Sequence, residues 1–167
     1  KAAMGYAEAV REEIADLFAA GADVVQLDEP WMQARPEPAE EYGLAALNAA
    51  LDGAAGTTAV HICFGYAALT KKRPDGYSFL PQMKDCLCDQ ISIETAQSNL
   101  DTSVLEEIRG KTVILSSHLL SDVEDVVDRM AILYGGRLRG QGTCEELLAS
   151  HDRTVIETDQ LDDQTIA

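Results

Sequence analysis

Helical stretches alternate with short apolar runs through the first two thirds of this chain, and polar residues near the ends of the first three runs recur at a constant interval. Residues 2–20 place Tyr6, Val10, Ile14, Leu17 and Phe18 at helical spacing. Gly21 stops that helix, and Asp-Val-Val-Gln-Leu-Asp at 23–28 suits a buried parallel strand. Glu29-Pro30 breaks the strand, and a Pro- and Glu-rich loop leads into a second helix over 39–51. The β-branched run Thr-Thr-Ala-Val-His-Ile-Cys at 57–63 predicts a second strand. Strands at 90–94 and 112–116 follow, each after a brief helix, near 80–85 and 103–108. Such alternation implies parallel βαβ units, whose ligands gather at the carboxyl ends of the strands. Those ends are Asp28-Glu29, then His61 and Cys63, then Glu94, and Asp28, His61 and Glu94 succeed one another at intervals of 33 residues.

The residue types at these ends carry chemistry. His61 and Cys63, two apart on a strand, share a face. Glu94 closes the next strand at a similar height, so one nitrogen, one sulfur and one oxygen donor compose an open zinc site of the catalytic kind. The competing reading is a buried His and Cys that only pack, although a carboxylate ending a buried strand is costly unless paired or ligated. Asp28 and Glu29 are candidates to hold a substrate ammonium, or turn-capping acids. Trp31, Tyr66 and Tyr77 are pocket walls or packing residues. Lys71, Lys72 and Arg73 form a basic loop that is either solvated or turned toward an anionic substrate tail. Cys86 and Cys88 stand too close for an easy disulfide and are read as buried or idle. With Cys63 and Cys144 they make four cysteines at uneven spacing, which suits reduced thiols rather than a disulfide framework.

Composition narrows the function classes. The 167 residues hold 29 acidic and 13 basic side chains, a net charge of −16 shared by both halves. Such a field repels phosphate backbones and anionic lipid, which excludes nucleic-acid or membrane binding as the main activity. No apolar run approaches the ~20 residues that span a bilayer, so a cytoplasmic location is expected.

The segments Val-Gln-Leu-Asp-Glu-Pro at 25–30, His-Ile-Cys-Phe-Gly-Tyr at 61–66 and Asp-Gln-Ile-Ser-Ile-Glu at 89–94 resemble the catalytic domain of cobalamin-independent methionine synthases, from about residue 5 to 115. The resemblance implies a (β/α)8 barrel with zinc at its mouth and methyl transfer from a methylated folate to homocysteine. Carried over, His61, Cys63 and Glu94 are zinc ligands and Asp28 holds the substrate amine. The family's further cysteine ligand, in a Pro-Asp-Cys-Gly-like segment, has no counterpart in this sequence. A closed barrel needs about 250 residues, so a fragment is expected.

From Gly110 the pattern changes. Gly-Lys-Thr-Val-Ile-Leu-Ser-Ser-His at 110–118, Asp-Arg-Met-Ala-Ile-Leu-Tyr-Gly-Gly-Arg at 128–137 and Gly-Thr-Cys-Glu-Glu-Leu-Leu at 142–148 resemble the end of an ABC-transporter ATPase domain, over about 110–160. By that resemblance His118 is the histidine that reaches the γ-phosphate of ATP, and a helix (121–129), a hairpin (131–139) and a short final helix follow. No Gly-x-x-x-x-Gly-Lys-Ser/Thr phosphate loop occurs in the sequence.

The expected fold is therefore α/β, a partial (β/α)8-barrel-like parallel sheet with flanking helices at 1–115, plus a helix–hairpin–helix at 116–167. The expected function is that of a zinc-dependent methyltransferase fragment. The alternatives are an ABC-transporter ATP-binding fragment or a catalytically inactive chimera joined near 110–115. Open sheet edges would favour a homodimer.

Overall fold

Four parallel strands form the framework, in the order β1 (Val24–Glu29), β2 (Thr57–Ile62), β3 (Gln90–Glu94) and β4 (Thr112–Ser116). This is a computed structural model, and it describes residues 1–63, 76–94, 102–117 and 123–149. The chain divides into two compact units, Lys1–Val123 and Glu124–Ala167.

In the first unit, spatial order follows chain order, as expected of successive right-handed βαβ units. Helix α1 (Ala2–Ala19) packs on α4 (Leu44–Leu51) beside β1. The core lies on this helix-covered side of the sheet, where Val60, Ile62, Ile91 and Ile93 are fully buried against Phe79, Leu80, Met83 and Ile108. Each such aliphatic or aromatic side chain contributes about 1.5–3 kcal/mol through burial.

Several expectations change in detail. In α1 the buried residues are Ala7 and Ile14, with Phe18 packed against the core, whereas Tyr6, Val10 and Leu17 stay exposed. The small Ala7 lets α1 approach α4, which turns the neighbouring aromatic outward. Strand β1 is an edge strand of this sheet, and Val24 on it is exposed. The second helix is not continuous over 39–51. Short turns α2 (Trp31–Ala34) and α3 (Pro36–Pro38) run into a π-helical turn, Ala39–Gly43, before α4 begins. The wide turn brings Gly43 against Met32, where a Cβ would lie 3.2 Å from the Met32 Cε. The brief helices before β3 and β4 are 3-10 turns, Leu80–Asp85 and Thr102–Ile108.

The second unit holds an antiparallel hairpin, β5 (Met130–Tyr134) and β6 (Arg137–Gly142), then α5 (Cys144–Leu148). Gly135 and Gly136 form its two-residue loop at φ +59° and +70°, the left-handed pair a tight hairpin needs. Thr143 and Glu146 form a capping box at the start of α5. The helix expected at 121–129 is not formed where it is described: residues 123–126 are turn, with no regular helix before β5. His118 lies outside the described residues, as do Tyr66, Lys71, Lys72 and Arg73.

Candidate active site at the carboxyl end of the sheet

Strand register sets the site. Asp28 is aligned with His61, and His61 with Ser92, so three polar side chains form a row across β1, β2 and β3. Aligned residues of parallel strands project to the same side, here the side opposite the apolar core. Glu94 lies two residues beyond Ser92 on that face, and Cys63 two beyond His61. The alternation that buries Val60, Ile62, Ile91 and Ile93 thus presents His61, Ser92 and Glu94 on the other face.

Pleating separates Asp28 from Glu29. Asp28 accepts a hydrogen bond from Gln26 Nε2 at 2.9 Å, on its own face. Glu29 projects with Leu27 into a groove of about 290 Å³ between α1 and α4, walled by Tyr6, Trp31 and Tyr42. Burial there pushes the Glu29 carboxyl above the ordinary value of 4.5. Trp31 belongs to this groove, with the Arg35 guanidinium 5.0 Å from its ring centre.

Two supports flank the site. His61 Nδ1 is 3.1 Å from Ser92 Oγ, a contact that orients the ring and leaves Nε2 on its far side. Tyr77 is buried, and its hydroxyl donates to the Glu94 carbonyl and accepts from the Glu94 N–H. Burial pushes the Tyr77 hydroxyl above its usual range, and the neighbouring Glu94 adds to the rise. Gln33, 2% exposed, holds the segment that carries Tyr77. Its Nε2 donates to Gly76 O at 2.9 Å and to Ser78 Oγ at 3.2 Å, and its Oε1 accepts from Phe79 N–H.

The structure therefore sets His61, Cys63 and Glu94 at the same end of adjacent strands. Nitrogen, thiol sulfur and carboxylate oxygen are a donor set that suits zinc. Among the described residues, however, no three His, Cys, Asp or Glu side chains gather closely enough to hold a metal. Cys144 is engaged within the second unit, its thiol facing the carbonyls of Glu124 and Val127. Ser92 was legible in the strand alternation as a neighbour of Glu94. Gln33 and Tyr77 meet the site only through tertiary contacts 43 and 17 residues long, which no local pattern announces.

A family model described as cobalamin-independent synthase, catalytic domain, matches residues 1–118. The chain belongs to that family. Among this member's relatives, the methionine synthases of Saccharolobus islandicus and Saccharolobus solfataricus are each 34% identical to it over 87 residues, covering 52% of the chain and 23% of the relative. The structure of a B12-independent methionine synthase from Shewanella sp. W3-18-1, in complex with selenomethionine, is similar with a TM-score of 0.61 and 32% identity, over 68% of this chain and 36% of that one. The parallel sheet with flanking helices is thus the barrel-like α/β fold of that protein in part. The chain spans about a quarter of the curated methionine synthases it matches. It is also 49% identical over 43 residues, 26% of its length, to an uncharacterized ABC transporter ATP-binding protein from Nostoc sp.. Among the described residues no helix is long and apolar enough to cross a membrane.

Proposed function

We propose that the first unit is the zinc- and homocysteine-binding portion of a cytoplasmic methyltransferase that moves a methyl group from a methylated folate to the thiol of homocysteine. The observation that carries the reading is the polar row Asp28–His61–Ser92 on one face, with Cys63 and Glu94 at the strand ends beside it. His61, Cys63 and Glu94 would hold the metal, His61 through Nε2 because Nδ1 is engaged with Ser92. Bound zinc would supply a lowered thiol pKa, so that a thiolate nucleophile exists at neutral pH. Asp28 would accept hydrogen bonds from the substrate ammonium; Glu29, on the opposite face, would take no part. Tyr77 and Gln33 keep the end of β3 in place.

The family's additional cysteine ligand has no counterpart here, and four strands cannot enclose a folate. This chain alone is therefore expected to turn over slowly or not at all, since misplacement by ~1 Å costs about 100-fold in rate. The outer strands β1 and β4 leave open edges through which two copies would pair. A second reading, favoured by the likeness to an ABC transporter ATP-binding protein, makes the second unit the end of an ATPase domain and the whole chain an inactive chimera.

Zinc retention by the full chain tests the main reading. Native protein should keep one equivalent through dialysis that Cys63→Ser, His61→Ala and Glu94→Gln each release. Equal retention by native protein and Cys63→Ser would overturn it. A methyl-transfer assay with homocysteine and methylfolate reports residual turnover, and a rise in melting temperature with Mg-ATP would favour the second reading.

A further inference from the structure

Helices α1 and α4 pack on each other beside β1, and the groove of about 290 Å³ between them is not used by the candidate active site. Small residues open it: Ala7 on α1 and Ala50 on α4 are both buried in its wall, where larger side chains would fill the space. The short helix α2 and the π-helical turn at 39–43 bring Trp31 and Tyr42 to the groove, where Tyr6 of α1 joins them. These three rings line one cavity and yet stay 40%, 47% and 76% exposed. Single exposed apolar side chains are ordinary, but a cluster around one opening marks a place where something binds.

Charge decides what the groove takes. Glu29 enters it from the carboxyl end of β1 and is half-buried. Among the described residues the ion pairs are Arg11 with Glu8 and Arg109 with Glu106, so no cation sits on the Glu29 carboxylate. Burial is what raises its carboxyl above 4.5, and no positive group offsets it. A charge taken from water without compensation is unfavourable, and a positive partner would relieve it. The cationic lining residue, Arg35, is exposed to solvent and already rests on the Trp31 ring, 5.0 Å from its centre. That contact shows that the indole face accepts positive charge. The unmet requirement is thus for a cation against Glu29 with an apolar body among the rings. The chain's net charge of −16 draws ligands of the same sign toward the surface.

We propose that this groove binds a small organic cation of the quaternary ammonium class, its charge facing Glu29 and its methyl groups against Tyr6, Trp31 and Tyr42. A primary ammonium presents three N–H donors, whereas the groove supplies one carboxylate among largely apolar walls. A quaternary ammonium has no donor to satisfy, and aromatic faces attract it directly. The volume lies at the lower edge of small-molecule sites, about 300–1,000 Å³, so the ligand is of choline size. Binding is non-covalent and leaves the cation unchanged. The site goes beyond the methyl-transfer reading: it lies on the helix-covered face of β1 and shares no residue with the proposed zinc site.

Trp31 is the chain's single tryptophan, so its fluorescence reports on this groove. Choline, titrated into the full chain with sodium chloride holding the ionic strength constant, should shift the emission saturably. Dimethylbutanol, its uncharged carbon counterpart, should bind about tenfold more weakly, as expected for one charge facing a half-buried carboxylate and aromatic rings. Glu29→Gln should lower choline affinity to that of the alcohol. Tyr42→Leu should weaken choline about 2–30-fold, the range of a cation–π contact. Arg35→Gln removes a like charge, so choline should bind as tightly or more tightly. Equal affinity of native protein for choline and the alcohol would overturn the proposal, as would native-like binding in Glu29→Gln, weaker binding in Arg35→Gln, or no saturable shift. The comparison of the two probes needs no variant, so it decides even where a substitution prevents folding. Zinc retention by Glu29→Gln should match native protein, which keeps this test separate from that of the zinc site.

Discussion

The Tyr77 hydroxyl and the backbone of Glu94 exchange two hydrogen bonds, the hydroxyl donating to the carbonyl at 3.0 Å and accepting from the N–H at 2.9 Å. One phenol thereby does for the last residue of β3 what a neighbouring strand would do. Tyr77→Phe deprives both backbone groups of that partner in a half-buried place. The expected loss is about 1–3 kcal/mol, the cost of unmade buried hydrogen bonds. Urea denaturation should show a lower midpoint at an unchanged slope.

The same hydroxyl sets an alkaline limit. Burial raises Tyr77 in the folded state above its ordinary value of 10.0. Below about 10 both folded and unfolded forms are neutral, and the contribution to stability is complete. Above that value the unfolded chain ionises first, so stability falls as pH rises toward the folded value. Tyrosinate absorbance on native protein should therefore show one tyrosine that titrates only with unfolding, and Tyr77→Phe should lack that late step.

Gly56, just before β2, makes a sharper packing prediction. A Cβ built there would lie 2.5 Å from Phe18 Cε1 and 2.9 Å from Cδ1, while the Phe18 ring packs against the core. Gly56→Ala should destabilise by about 1–3 kcal/mol, the range for overpacking. Adding Phe18→Leu should recover part of that loss, so the two changes will be non-additive in a double-mutant cycle. Strict additivity would mean the ring is not the obstacle.

How much of this was readable from the chain depends on the range of the interaction. The four strands were legible because each is a short run of apolar or β-branched residues between helical or turn segments, with period-two alternation in Gln90-Ile-Ser-Ile-Glu94. The side-by-side placement of Asp28 and His61 followed from the recurring interval, and register bears it out. Asp28 and Glu29 were grouped by adjacency, yet adjacency on a strand sends side chains to opposite faces. The outward Tyr6 was missed because Ala7, not a large residue, sets the α1–α4 contact. Tyr77, Gln33 and the Lys111 bridge to the Cys86 and Cys88 carbonyls join distant segments, where no periodicity applies.

Glu29 gives an acid-side test. Its carboxyl is raised above 4.5 by burial in the α1–α4 groove. The folded state therefore holds this proton more tightly than the unfolded chain. Its contribution is greatest at low pH and is lost as pH rises from about 4.5 through the folded value. Glu29→Gln keeps the shape without the charge, so it should stabilise the protein at neutral pH and flatten this part of the profile. Midpoints of denaturation between pH 4 and 8 check both. A variant less stable than native protein at pH 7 would mean the ionised carboxylate is held by a partner.

Ser92→Ala isolates the support of His61 from the donors themselves. Ser92 Oγ lies 3.1 Å from His61 Nδ1 and is the histidine's neighbour in register, so removing it frees the imidazole to rotate without deleting any proposed ligand. Residues that orient a metal-binding histidine this way are worth about 10–100-fold in metal affinity. Zinc affinity of the full chain should therefore fall by that factor in Ser92→Ala, and Ser92→Thr, which keeps a hydroxyl, should restore most of it. The serine is partly exposed, so folding stability should change little, and the loss of affinity can be assigned to orientation. An unchanged affinity in Ser92→Ala would show that His61 Nδ1 needs no anchor, or that zinc does not sit on His61 at all. His61→Ala separates those two outcomes, since only the first still predicts a loss when the ring itself is removed.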